Sequence, residues 1–314
     1  MDFGSFGAGF GSFGSALGAT PLRELDPYAV YAATDIMRSG EPIVQIRRAS
    51  DDATQDMTEA EFYGSTYDTF ISGTTGHISK IYNQVIGGST ASDTHLIQAT
   101  ESYQPTRATG SGGSTLRAFD FSTQFMYSGD ISAISDRPDF DGDITLGSRY
   151  RFRIVSNQNY VSPLFTYYNS ANGGTSFNYV PVHGAAHRQL TAQIAGSTPP
   201  VEKVDADDFG TTIKTAEVSL TPATSNGKSI LSVHTNQTAR RATFGGVGTT
   251  DNSDDCGTIT EPSTTAFGIG GWKAGGTSRS MTPTMNIACS VIFDRGLSLE
   301  DQSTLQGILD GLEV

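Results

Sequence analysis

The sequence is short of charge, and of lysine above all. Charged residues are 17% of its 314, against ~25% in an average soluble domain. The net charge is −13. A polyanion would be repelled at long range, which excludes wholesale DNA or RNA binding. Lysine supplies only 5 of the 20 basic residues, so arginine, the better partner for fixed carboxylate contacts, carries the rest. Two cysteines, Cys256 and Cys289, are too few for a disulfide framework and are read as reduced, buried thiols. No apolar run approaches the ~18 residues of a transmembrane helix. The opening MDFGSFGAGFGSFGSALG has neither the basic region nor the apolar stretch of a secretory leader, so none is expected. No GxSxG, HExxH, P-loop or CxxC occurs, and no repeat of about 20–50 residues suggests a propeller or solenoid.

What is abundant is turn chemistry. Glycine numbers 36. Gly, Asn and Ser clusters separate short apolar runs: LRAFDF, PLFTYY, FNYVPV, IKTAEVSL, SILSV, ATFGGV and AFGIGGW. Regular short strands between turn signals mean a sandwich or barrel. Pro42–Arg48 reads as a strand. Arg149, Arg151 and Arg153 alternate with Tyr150, Phe152 and Ile154, a half-buried period of two. Met285, Ile287, Cys289, Val291 and Phe293 form the inward series of a strand apolar on both faces.

Two helices are expected. Asp26 as N-cap, Pro27 at the first helical position and Gly40 as the stop frame one, with Val30, Ala33, Ile36 and Met37 on one face. Ser298 caps the other, with Glu300 and Asp301 in its first turn and Leu305, Ile308, Leu309 and Leu312 along one side.

Residues 1–18 are a low-complexity arm carrying Phe3, Phe6, Phe10 and Phe13. A glycine-rich segment has no core to offset its ordering entropy, yet four phenylalanines are costly to leave in water. The arm is therefore read as an anchor that docks on a partner, and residues 19–314 as the body. GSGGS at 110–114 is either an internal break or a long loop within one sandwich.

Two stretches resemble a known family. Within Tyr31–Arg107, Arg47, Arg48, Ser50 and Asp51 match the RVRRSSDN-like strand of the arabinofuranosidase-B-type domain. Tyr82 and Gln84 match its WYDQSGNG-like segment, with Ile81 in place of Trp and Asn83 in place of Asp. Gln98, Ala99 and Thr100 resemble its closing triplet in altered order. Near the other end, Ile269, Gly270, Asp294, Arg295, Leu297 and Ser298 are similar to the closing strand and helix of concanavalin A-like, laminin-G-like jelly rolls. The resemblance implies an all-β concanavalin A-like jelly-roll sandwich with an N-terminal arm and helix and a short C-terminal helix. It also implies a glycan-related role.

Glycoside hydrolysis needs two carboxylates placed across a sugar. Asp51, Asp52, Asp56, Asp120, Asp139, Asp141 and Asp143 are available, but no segment corresponds to the family's catalytic Glu and Asp, so no enzyme activity is expected. Asp139, Asp141 and Asp143 alternate in DFDGD, a spacing that could hold calcium but is read first as a solvated acidic turn. His183 and His187 stand four apart, but Pro181 and Gly184 argue against the helix a zinc pair would need. Tyr167, Tyr168 and Trp272, in loop-like surroundings, are candidate glycan or interface aromatics.

A lectin-like body with a Phe/Gly arm and no export signal reads as a virion structural protein. A capsid decoration, head fibre or tail-associated protein, homo-oligomeric and most simply trimeric, would fit. Its expected partners are other virion proteins through the arm and a host-surface glycan, with no nucleic acid and no membrane span. The alternative is a carbohydrate-binding or glycoside hydrolase domain related to arabinofuranosidases.

Overall fold

The computed structural model describes residues 20–37, 39–85, 94–109, 115–121, 124–131, 133–134, 144–153, the strands between 160 and 280, and 284–312. Side chains are described for most of these outside 151–265 and 270–285. The helices are α1 (Thr20–Glu24), α2 (Glu59–Phe62), α3 (Ser65–Phe70) and α4 (Leu299–Asp310). The strands are β1 (Ala29–Ala32), β2 (Val44–Arg48), β3 (Thr54–Met57), β4 (Gly76–Ile81), β5 (Leu96–Ile97), β6 (Thr106–Thr109), β7 (Thr115–Phe121), β8 (Met126–Tyr127), β9 (Ile144–Arg153) and β10 (Tyr160–Asn169). After them come β11 (Arg188–Ile194), β12 (Val201–Asp207), β13 (Ile213–Ser219), β14 (Asn226–Val233), β15 (Arg240–Phe244), β16 (Val247–Asp251), β17 (Thr265–Ile269), β18 (Gly271–Ala274), β19 (Thr277–Ser280) and β20 (Thr284–Phe293).

Two antiparallel sheets face each other. The eight-stranded sheet runs β16-β15-β14-β9-β20-β7-β6, with β1 added on β20. The ten-stranded sheet runs β13-β12-β11-β10-β17-β8-β5-β4-β2-β3. Tyr31, Phe119, Phe121, Tyr150 and Ile287 from the first pack against Val44, Ile46, Ile81, Leu96, Met126 and Phe267 from the second. The chain is an all-β sandwich of two antiparallel sheets, as expected. β6 and β7, on either side of residues 110–114, pair with each other.

The expected helix from Asp26 to Gly40 is not formed. Asp26 adopts a φ of +49°, outside the helical region, and Ala29–Ala32 pairs antiparallel with β20. All four residues of β1 are buried, Ala29 and Tyr31 in the central core and Val30 and Ala32 in a second layer outside the sheet. A short run apolar on both faces can be a doubly covered strand, and length favours that reading here. The N-terminal helix is instead α1, just upstream.

A second correction concerns β20. Its register shifts between Ile287 and Cys289. The bulge sends Ile287 and Ile292 to the central core and Cys289, Val291 and Phe293 to the outer layer, so the expected single inward series is two. In that layer Leu22 and Leu25 of the α1 region and Leu305 and Leu309 of α4 cover the sheet. Gly147 of β9 makes room for α4: a Cβ there would lie 2.9 Å from Val291 Cγ1 and 3.1 Å from Leu305 Cδ2. Ser298 caps α4 as expected, its hydroxyl accepting the Asp301 N–H at 3.1 Å. Arg295 donates to the Leu25 and Asp26 carbonyls, the latter at 3.0 Å, and so fixes the root of the N-terminal arm. The arm itself, with Phe3, Phe6, Phe10 and Phe13, lies outside the described residues.

The α2–α3 segment is held differently. Thr58 and Glu61 form a capping box at α2. Three arginines then grip the segment. Arg107 lies 3.8 Å over the Tyr67 ring and donates to the Phe62 carbonyl at 2.7 Å and to Asp68 at 3.1 Å. Arg117 lies over Tyr63 and pairs closely with Glu59. Arg48 lies over Phe70 and donates to its carbonyl at 3.1 Å.

Candidate functional site

The residues that carry the arabinofuranosidase-type resemblance act as fasteners. Arg48 forks onto Asp51 with contacts of 2.8 and 2.6 Å, and this bond holds the Asp51 carboxyl below the usual carboxylate range. Arg47, 8% exposed, bonds Asp52 at 2.7 Å and Gln104 at 2.7 Å. Gln104 donates to the Gln98 carbonyl, and the Gln98 side chain to the Phe125 carbonyl, both at 2.8 Å. Asn83 accepts the Val30 N–H at 2.9 Å, and Gln84 donates to the Ala32 and Thr34 carbonyls. These side chains tie β1 and the 98–104 turn to the ten-stranded sheet. Asp51 and Asp52 are thereby engaged with guanidinium groups rather than held across a cleft.

Two open clefts flank α2–α3. One of about 550 Å³ is lined by Asp35, Gly40, Glu59, Tyr63 and Arg117. Its two acids are already oriented: Asp35 by the Ser39 and Gly40 N–H groups, Glu59 by the Asp35 N–H and Arg117. The other, about 470 Å³, lies beside Arg48, Gln55, Ser65, Thr69 and Phe70.

The outer face of the ten-stranded sheet offers a third arrangement. One row of register partners crosses it: Asp56, Gln45, Lys80, Ile97, Tyr127 and Gly268, then Thr166. Their chain neighbours Met57, Val44, Ile81, Leu96, Met126 and Ile269 belong to the core, so the first six residues of the row face away from it. Asp56 and Ile97 are exposed, Ile97 at 37%, and Gln45, Lys80 and Tyr127 are half-buried. Tyr82 follows β4 and leans over the row. Its hydroxyl donates to Asp56 Oδ1 at 2.7 Å, and Gln45 donates to the same oxygen at 2.9 Å. Burial first, and the Asp56 bond second, push the Tyr82 phenol above its ordinary range. The Lys80 ammonium lies 5.1 Å from the Tyr82 ring centre, and His95 meets that ring edge-on at 4.8 Å. His95 is held by the Asn83 N–H, which donates to its Nδ1 at 3.0 Å. The result is a platform with an acceptor at one end, an ammonium in the middle and apolar surface at the other end.

The sequence does not single out Lys80, Ile97 or Tyr127. The bulge opposite Gln45 and Ile46 breaks the alternation of β4, and β5 and β8 are only two residues long. Asp56, read as a candidate acid, is part of the platform. Asp120 lies on β7, in the other sheet. Tyr167 and Tyr168 lie in β10 as backbone partners of Phe267 and Ala266, and Trp272 in β18, but their side chains are outside the described residues. So are Asp139, Asp141, Asp143, His183, His187 and Cys256. Cys289 is a buried free thiol whose pKa burial pushes up to about 12. Among the described residues no helix is long and apolar enough to cross a membrane, and no group of three acids, His or Cys could hold a metal ion.

No family model and no curated protein matches the chain. Among solved structures it is similar to the CBM40 of the IT-sialidase from Ruminococcus gnavus, with TM-score 0.40 and 15% identity over 57% of this chain and 90% of that one. It is similar to a receptor binding domain at TM-score 0.45 and 10% identity, over 79% of this chain and 53% of the other. A variant of the NanB sialidase from Streptococcus pneumoniae matches at TM-score 0.40 and 12% identity over 60% of this chain. The chain spans 27% of the length of that sialidase.

Proposed function

We propose that this protein is a non-catalytic display module: a lectin-like sandwich that contacts glycans through the outer face of its ten-stranded sheet. The observation that carries this reading is the outward row Asp56–Gln45–Lys80–Ile97–Tyr127 with Tyr82 beside it. A sugar presents an apolar C–H face and a rim of hydroxyls. The row matches both, with Ile97 and Tyr127 as aliphatic and aromatic surface at one end and Asp56 and Gln45 as oriented hydrogen-bonding groups at the other. The acids of the Arg47–Asp52 region are tied to guanidinium groups, which supports binding over hydrolysis. The arabinofuranosidase-type resemblance is taken as shared architecture.

The site of display is the surface of a virion, on capsid or tail, with residues 1–18 as anchor to other virion proteins and the body assembled as a homo-oligomer. The fixed root of the arm, with Leu22 and Leu25 buried and Arg295 on the Leu25 and Asp26 carbonyls, supports anchoring, because a load on the arm meets a rigid body. Calcium at Asp139, Asp141 and Asp143 and glycan or interface contacts by Tyr167, Tyr168 and Trp272 belong to the same reading.

The test has two arms. A glycan array probed with the full chain is expected to give binding that Tyr82→Ala and Ile97→Ser weaken together. Removal of residues 1–18 is expected to leave melting unchanged and to abolish incorporation into particles. Turnover of an aryl-glycoside that one acid substitution abolishes would overturn the non-catalytic reading, and unchanged incorporation would overturn the anchor.

A further inference from the structure

The geometry points to an anionic glycan as the ligand of this platform: a short oligosaccharide whose sugar unit over Lys80 carries a single negative charge, as a carboxylate or a sulfate ester. The inference rests on the glycan reading above and sharpens it.

It comes from the placement of cations. In a chain of net charge −13, every described arginine of the 47–121 region has a carboxylate partner: Arg47, Arg48, Arg107 and Arg117 pair with Asp52, Asp51, Asp68 and Glu59. Lys80 has none within ion-pair distance among the described residues. It lies instead against the face of the Tyr82 ring. The ring face attracts the ammonium and holds it on the sheet surface without neutralising its charge, so the charge stays available to an anion. The long-range field of this acidic chain disfavours anionic ligands in general. Retention of one then needs a local cation that no carboxylate neutralises, and Lys80 is placed to be that cation.

The neighbours set the rest of the ligand. Asp56 lies two strands to one side of Lys80, and its Oδ1 is already filled by Tyr82 and Gln45. A second carboxylate in the ligand at that end would be repelled, whereas a hydroxyl donates to Asp56 Oδ2. Ile97 and Tyr127 lie one and two strands to the other side and supply apolar surface. With strands ~4.8 Å apart, Asp56 to Tyr127 spans about 19 Å, which suits an oligosaccharide rather than one sugar. The charge belongs in the middle of that span, on the unit above Lys80.

The experiment measures binding of the full chain to uronic acid-containing oligosaccharides, their carboxyl-reduced neutral counterparts, and sulfated and unsulfated pairs of one neutral oligosaccharide, at low and near-physiological salt. One of the two anionic classes is expected to bind at least about tenfold more tightly than its neutral counterpart, and the class that does so identifies the anion. Lys80→Gln is expected to remove that preference, Lys80→Arg to keep most of it, and added salt to weaken binding of the parent more than of Lys80→Gln. Equal binding of neutral and anionic ligands, unchanged by Lys80→Gln, overturns this inference and leaves the glycan reading standing. Absence of binding to every oligosaccharide overturns both.

Discussion

Two regions hold this sandwich together by opposite means. At the root of the arm, Leu22, Leu25, Val291, Phe293, Leu305 and Leu309 form an aliphatic layer outside the eight-stranded sheet. On the flank made by α2 and α3, arginines lie over aromatic rings and bond carbonyls and acids. The first depends on area removed from water and on close packing. The second depends on geometry and charge, and each arginine combines stacking, a hydrogen bond and an ion pair in one side chain. The layer should therefore be sensitive to volume and the flank to charge and pH.

The largest effect should come from the layer. Leu305→Ala removes a fully buried side chain against Val291 and is expected to cost about 2–5 kcal/mol in denaturant unfolding. Gly147→Val, which pushes into Val291 and Leu305, should cost about 1–3 kcal/mol there. On the flank, Arg107→Ala loses its contacts to Tyr67, Phe62 and Asp68 together, and about 2 kcal/mol is expected. Arg107→Lys should recover little, because a point charge cannot reproduce the fork. If Arg107→Lys melts like the parent, stacking and hydrogen bonding do not hold the flank and the contrast collapses.

Smaller effects sharpen it. Ser298→Ala should cost about 1 kcal/mol through loss of the α4 cap, read as a lower thermal midpoint. The last is a titration. Hydrogen bonds from Arg48 and from Thr58 hold Asp51 and Glu61 below their ordinary range. A lowered folded pKa gives stability that is complete above the unfolded value and lost as pH falls through the folded one. Acid should therefore soften the flank below the usual carboxylate range, while burial of Leu305 feels no pH. Burial raises Tyr63 and Tyr67, so their contribution is complete below the free phenol value of ~10 and fades as pH rises beyond it. Melting curves of Leu305→Ala and Arg107→Ala across pH, compared with the parent, separate the two dependences.

The sequence displays the sandwich and several of its elements openly. The Arg149–Arg153 alternation is β9, the doubly apolar run at 285–293 is β20, and Ser298 with Glu300 and Asp301 marks the start of α4. These signals are local, so composition and period suffice. β1 is not local in that sense. Its residues fit a helical face as well as a strand, and only pairing with β20, some 260 residues away in the chain, decides between them. The outward platform is hidden for the same reason. It is assembled from β2, β3, β4, β5 and β8, each contributing one residue, and a register that spans five strands leaves no contiguous motif.

The pairing of β1 with β20 also has a mechanical side. A pull on the arm reaches β1, whose four register pairs lie along β20, a strand that β9 flanks on its other side. Tension along β1 loads those pairs in parallel as shear, with Arg295 bracing the Leu25 and Asp26 carbonyls just ahead of them. A body suspended by this arm would resist extraction by the collective strength of its most covered strand and fail abruptly rather than unravel.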